Sequence, residues 1–562
     1  MKVDVQKILV QNKVVTLDNN NDYKAAGGQA VVYVKDNVAY KIYHDSSDMI
    51  AEVKIRELCK LQRDEILSPK DIIYNMSKDQ IGFTMSYIDD TEFLCQIFTK
   101  TFRDDKNITT QQIIDLVKNM QESLKYIHTN GILVVDYNEM NFLLDKAFCR
   151  VYHIDVDSWQ TKNFNAPVIM ESIRDRTVPM GQYSEVTDWF SWAVVTFQMY
   201  IGIHPYKGIH PTFKPAEFMK RMDLNVSVFD KDVTLPDTCQ PFSVIPKKHL
   251  EWYKAVFMKK ERSVPPYADD VVITAAVTRV VGSKGDFIVK LVAEVEENIR
   301  GVIVFYTNRY IVTSKHIYDD SGKKIYDFKI KSATVGMCDV FNQKPIVAEL
   351  VNKRLEFFDL QHNLLSAIEA EDMMGYNGMV YSMNNGKLIE NSFELFGKKI
   401  IHSTIEVCNV GKSYKAFRGV VVQDVFIKCR IAIPFERKSC INIHINELDG
   451  HRIIDARYDK YVCIVMSEKH GKYTKTIIYF NNDHSSHTLK QEEISAFCSV
   501  NFVVLPNKLA IAIDDEKLSI FTEKSVKEIT TNLPLDVSMR LHHQDMQPLF
   551  VDGNKLYSVS MK

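Results

Sequence analysis

The hydrophobic pattern of the chain changes period twice. Up to about residue 110, short β-type runs surround one helical stretch. Val31-Val32-Tyr33-Val34 and Val38-Ala39-Tyr40-Lys41-Ile42-Tyr43 are β-branched and aromatic, and Lys35-Asp36-Asn37 separates them. They predict two strands joined by a turn. From 110 to 262 the period is helical, with Ile113, Ile114, Val117, Met120, Leu124 and Ile127 on one face. Ser263-Val264-Pro265-Pro266-Tyr267 then interrupts the pattern and predicts a domain boundary. Beyond it, runs such as Phe287-Ile288-Val289-Lys290-Leu291-Val292 and Lys517-Leu518-Ser519-Ile520-Phe521 alternate with Asn, Asp and Gly turns.

Many short strands at regular spacing suit a sandwich, a barrel or a propeller. Blades of roughly 40–45 residues would give six or seven of them in the space available. The expected organisation is therefore multidomain. An α+β domain at 1–265 has a β-rich lobe at about 1–88 and a helical lobe at about 89–265. A linker at 266–285 precedes an all-β domain at 286–562. A β-propeller is the expectation for that last part, with two stacked smaller β domains as the alternative.

Composition narrows the partners. Lys and Arg total 70 against 72 for Asp and Glu. So balanced a chain has no global pull toward nucleic acid or an acidic membrane. Ten cysteines without a Cys-x-x-Cys pair suit free thiols in a reducing compartment. The first residues lack the apolar core of a signal peptide. Trp189 to Tyr206 carries no Asp, Glu, Lys or Arg, but its polar residues and Gly202-Ile203-His204-Pro205 predict a buried helix and its end. The expectation is a cytoplasmic protein with no membrane contact.

The chemistry concentrates between residues 131 and 159. An apolar stretch delivers Asp136, Asn141 follows five positions later, and Val151-Tyr152-His153-Ile154-Asp155 is a strand ending in a carboxylate. Phosphoryl transfer needs a carboxylate near the acceptor hydroxyl and oxygen ligands for Mg²⁺ on the ATP phosphates. In this order the three residues resemble the catalytic loop and metal-binding aspartate of protein kinases.

That resemblance extends over residues near 20 to 265. Ala25-Ala26-Gly27-Gly28-Gln29-Ala30 is similar to the kinase glycine-rich loop, with Gly27 and Gly28 able to approach phosphates. Lys41 stands where the phosphate-pairing lysine would be. Ile50, Val53, Leu58 and Leu61 mark the stripe of the next helix; Glu57 falls within it, whereas Glu52 lies roughly 200° from Ile50. Glu57 is thus the expected partner of Lys41. Phe83 to Ile88 resembles the strand and hinge between kinase lobes, with Met85 as gatekeeper and Ser86, Tyr87 and Ile88 at the adenine edge. Asp188 resembles the helix aspartate that ties down the catalytic loop, and Arg262 a structural arginine near the domain's end.

Four departures qualify the resemblance. Val134-Val135 stands for His-Arg, and Asn138 for the lysine that commonly follows the catalytic Asp. Asp155-Val156-Asp157-Ser158-Trp159 stands for Asp-Phe-Gly, and no Ala-Pro-Glu follows. Asp157 reads as a second metal ligand or a turn cap. The variants resemble a divergent group of bacterial and phage kinase-like proteins. The resemblance implies an ATP- and Mg²⁺-dependent serine/threonine-type protein kinase. Asp136, Lys41 and Glu57 would be catalytic, Asn141 and Asp155 would hold the metal, and the β domain would bind a protein substrate or partner. A scaffold with an inactive kinase-like domain and a small-molecule kinase are the alternatives.

Overall fold

The computed structural model describes residues 5–19, 21–26, 29–214, 217–268, 282–305, 308–328, 334–340, 344–397, 399–514 and 517–561. The chain forms two compact units, Met1–Tyr23 with Gln29–Arg279, and Lys24–Gly28 with Val280–Lys562. It is mostly β, with six α-helices and many separate sheets among the described residues.

The first unit opens on a seven-stranded sheet. Its strands are β1 (Val5–Val10), β2 (Lys13–Asp18), β3 (Tyr23–Ala26), β4 (Ala30–Lys35), β5 (Val38–Tyr43), β6 (Ile72–Tyr74) and β7 (Gln80–Ser86). They lie in the order β2-β1-β6-β7-β5-β4-β3. The expected β4–β5 hairpin is present. Its turn residues Asp36 and Asn37 both have positive φ, the backbone that a two-residue hairpin requires. Gly82 lets β7 run under β5, because a Cβ there would lie 2.0 Å from Lys41 O.

Helix α1 (Glu52–Leu58) has only seven residues. Ile50 lies before it and Val53 is exposed, so the buried face is Lys54, Ile55 and Leu58. The expected stripe was therefore phased on a residue outside the helix. Helices α2 (Lys100–Lys106), α3 (Thr110–Thr129), α4 (Glu185–Ile201), α5 (Phe218–Leu224) and α6 (Lys247–Lys259) follow. A three-stranded sheet of β8 (Thr91–Phe93), β9 (Phe142–Asp145) and β10 (Val151–His153) lies among them in sequence.

Helix α4 is buried from Thr187 to Ile201, as its uncharged sequence predicts. It ends at Gly202 with φ +88°, and a Cβ there would lie 2.8 Å from Phe98 O. Among the described residues no helix is long and apolar enough to cross a membrane. Pro265 O and Pro266 O accept hydrogen bonds from Gln121, and Pro266 O also meets His249. The proline stretch expected to mark a boundary is thus bound to α3 and α6. Most of the expected linker lies outside the described residues.

The second unit holds seven sets of four antiparallel strands among its described residues. Two sets, within 334–369 and 372–409, are joined into one sheet by a single parallel bridge, Val340 to Phe393. In one set the unit's first strand, β11 (Phe287–Glu294), pairs with its last, Lys555–Met561. Successive sets share apolar cores. Val462 and Ile464 of one pack with Phe502, Val504 and Phe521 of the next.

Candidate functional site

Strand β5 presents Ala39, Lys41 and Tyr43 on one face, by simple alternation. Lys41 Nζ reaches Asp157 at 2.7 and 2.8 Å and Asp155 at 3.5 Å. Tyr43 donates to the same Asp157 carboxylate at 2.7 Å. Lys54 of α1 donates to Asp157 O at 2.7 Å. Burial alone would depress the Lys41 ammonium, but Asp157 and then Asp155 outweigh it, so its pKa is raised. Burial likewise works against the Asp157 carboxylate, and the Lys41 charge holds it below the usual range. Such a pair is stable only because each charge is compensated.

This geometry corrects one expectation. Glu57 does not pair with Lys41. It accepts from Asn163 Nδ2. On the short helix the inward position belongs to Lys54, so Glu57 turns toward the segment after Asp157. Asp157, read from the sequence as a metal ligand or turn cap, is the partner of Lys41. Tyr43, two residues beyond Lys41 on the same face, is the signal that could have suggested it.

Asp155 adopts the left-handed backbone, φ 57°, at the start of a short 3-10 turn, Val156–Ser158. That conformation is rare outside glycine, and Asp tolerates it better than most residues. Its side chain remains 36% exposed. The strand before it is packed by His153, which is fully buried and contacts Tyr137, Phe142 and Trp159 edge-on. Burial drives the His153 pKa down to about 3, so the ring is neutral.

The loop carrying Asp136 is pinned from below. Asp188 Oδ2 accepts Val134 N–H at 2.8 Å and Oδ1 accepts Val135 N–H at 2.9 Å. His128 Nε2 meets Asp188 Oδ2 at 2.9 Å. These bonds hold Val135 at φ 64°, an unusual backbone for a β-branched residue. Asp136 then accepts Met170 N–H on Oδ1 and Asn138 Nδ2 on Oδ2, both at 2.8 Å. Burial raises its pKa to about 6, with a further contribution from the nearby Asp155 charge. Asn141 Nδ2 donates to Asp136 O at 3.0 Å, and Asn141 O accepts Ile154 N–H, linking the loop to the strand of Asp155.

The tie of Asp188 has a measurable consequence. Asp188→Ala leaves two buried N–H groups without partners, which costs about 1–3 kcal/mol each. We expect a loss of at least about 2 kcal/mol in urea unfolding. All four tryptophans, Trp159, Trp189, Trp192 and Trp252, lie in the first unit, so their fluorescence reports on it.

The remaining expected residues are placed as follows. Met85 pairs with Ala39 and Phe83 with Lys41 across β5 and β7, putting Met85 on the Lys41 face. Ser86 ends β7, and Tyr87 and Ile88 follow as half-buried extended chain. Gly27 and Gly28 lie outside the described residues. Among the described residues no three His, Cys, Asp or Glu side chains converge as a metal site.

One residue escaped the sequence altogether. Asp175 is buried and takes Arg262 bidentately, at 2.5 and 2.8 Å. Breaking a buried pair from one side costs about 3–5 kcal/mol. We expect Arg262→Ala to lower the urea midpoint of the first unit by more than any exposed lysine substitution.

Part of this sequence is similar to a probable serine/threonine-protein kinase. A protein of Dictyostelium discoideum described as a probable serine/threonine-protein kinase is 22% identical over 220 residues. The match covers 36% of this chain and 15% of that protein's length. No protein-family model matches the chain. The similarity hints at a kinase-like relationship and extends no further than that share.

Proposed function

We propose that the first unit is a divergent kinase-like domain that transfers the γ-phosphoryl group of Mg-ATP to a serine or threonine hydroxyl of a protein. The observation that carries this reading is the cluster of Lys41, Asp157 and Asp155, next to an Asp136 whose loop is anchored by Asp188. Lys41 contacts the α and β phosphates. Met85 to Ile88 line the adenine edge. Asn141 and Asp155 hold Mg²⁺, which screens phosphate charge when bound. Asp136 orients the acceptor hydroxyl and takes its proton as oxygen attacks the γ phosphorus and the bond to the β-phosphate oxygen breaks.

The second unit, in this reading, is a seven-bladed β-propeller that binds the protein acceptor or a partner. Its seven four-stranded sets, with β11 paired to the last strand, are what a closed ring of blades requires.

A specific contact favours a second reading, a scaffold whose kinase-like domain binds nucleotide without turnover. Both Asp136 oxygens are engaged, one of them by the backbone of Met170. An acceptor hydroxyl must share or displace that bond. The test is incubation of purified full chain with Mg²⁺ and γ-labelled ATP, alone and with lysate, beside Asp155→Ala. Label on protein that disappears in the variant supports the kinase. Saturable Mg-ATP binding without label supports the scaffold. Label on a metabolite alone indicates a small-molecule acceptor.

A further inference from the structure

Three arginines come together in the second unit. Arg418 follows the strand Tyr414–Phe417, Arg457 lies on Arg452–Asp459, and Arg540 begins Arg540–Gln544. Each strand is the outermost member of a different four-stranded set. Arg418 and Arg457 are joined by a parallel bridge, and Arg418 O accepts Tyr458 N–H at 2.9 Å. Arg457 Nη2 reaches Leu541 O, beside Arg540, at 3.4 Å.

We propose that Arg418, Arg457 and Arg540 form a binding site for a phosphoryl oxyanion. The first ground is an unfilled hydrogen-bonding demand. Arg457 is only 8% exposed, and its Nε has no hydrogen-bond partner among the described residues. His542, 3% exposed, likewise has an Nε2 without one. A buried donor of this kind costs free energy unless something accepts from it.

The second ground is charge. Burial and the neighbouring Arg418 depress the Arg457 guanidinium to about 9, and Arg540 adds to this. Burial, then Arg418, Arg457 and Arg540 hold His542 well below its ordinary value. Two carboxylates, Asp459 and Asp455, act on Arg457. Asp459 accepts Val504 N–H at 2.8 Å. Asp455 accepts Val500 N–H at 2.8 Å, and burial lifts its pKa to about 6. Both carboxylates are thus engaged by backbone N–H groups as well as by the Arg457 charge.

The third ground is access. Arg418 is exposed, so solvent, and hence a small anion, reaches it. Planar forks from several directions match the oxygens of a phosphoryl group better than a single carboxylate. The source is either a phosphorylated side chain or free phosphate. The site stands on its own residues, whether or not the first unit transfers phosphate.

The experiment is calorimetric titration of the full chain with inorganic phosphate, a phosphoserine peptide and its unphosphorylated twin. Arg418→Gln, Arg457→Lys and Asp459→Asn are compared with the native chain. We expect saturable binding that weakens with salt, about tenfold or more loss in Arg418→Gln and Arg457→Lys, and tighter binding in Asp459→Asn. Preference for the phosphopeptide identifies a phosphorylated side chain, and equal or better binding of phosphate identifies the free anion. Arg418 is solvent-exposed, so its variant decides the matter if Arg457→Lys proves unfolded by thermal melting. Binding of neither phosphate nor phosphopeptide overturns the proposal, as does binding unchanged in Arg418→Gln.

Discussion

Asp157→Asn is expected to lower phosphotransfer about a hundredfold, whereas Glu57→Gln changes it by less than about twofold. The scale is that of misplacing one positioning group by about an ångström. Asp157 fixes Lys41 through both carboxylate oxygens and is itself fixed by Tyr43 and by Lys54. With a neutral amide there, the ammonium keeps at most one uncharged acceptor at 157 and the longer contact to Asp155, and loses the charge that offsets its burial. Glu57 bonds to Asn163 in the segment after the site and acts on this cluster through the charge of Lys54. Rates of γ-label transfer at saturating Mg-ATP check the pair of variants, with melting temperatures confirming that both are folded. Equal losses in the two would return the lysine's partner to α1.

The second large effect concerns Asp136. Its carboxyl must be ionised to accept a proton, and burial lifts its pKa to about 6. The ionised fraction therefore grows as pH rises through about 6 and shrinks below it. kcat/KM is expected to fall about tenfold for each pH unit below that value and to level off above it. Asp136→Asn is expected to cost about 10²- to 10⁴-fold and to abolish this limb, because the amide does not titrate in the range. Phosphotransfer measured between pH 5 and 8 gives both readings at once. A retained limb in Asp136→Asn would assign it to another group.

Much of the site could be read from residue order alone. Asp136, Asn141 and Asp155 lie close together in sequence, around the apolar strands β9 and β10, so their meeting follows locally, and Asp188 reaches them from the buried helix α4. The β4–β5 hairpin is of the same kind, set by Asp36 and Asn37. The partner of Lys41 was not legible, because it depends on where α1 begins. A helix starting at Glu52 rather than near Ile50 turns Lys54 inward and Glu57 aside. Asp175 was hidden for a different reason. Its role comes from meeting Arg262, 87 residues away, and no motif surrounds Asp175 itself. The arginines of the second unit are likewise spread over three strands far apart in sequence. The regular spacing of strands was visible, but the register that brings Arg418 beside Arg457 was not.

The central claim is that Lys41, held by Asp157, faces a nucleotide with Asp155 and Asn141. Calorimetric titration of the full chain with ATP, with and without Mg²⁺, tests it most directly when Lys41→Met and Asp155→Ala are run alongside. The account predicts one Mg²⁺-dependent binding event, weakened about tenfold or more by Lys41→Met and stripped of its Mg²⁺ dependence by Asp155→Ala. Binding that ignores both substitutions, or no binding of Mg-ATP at all, would contradict it.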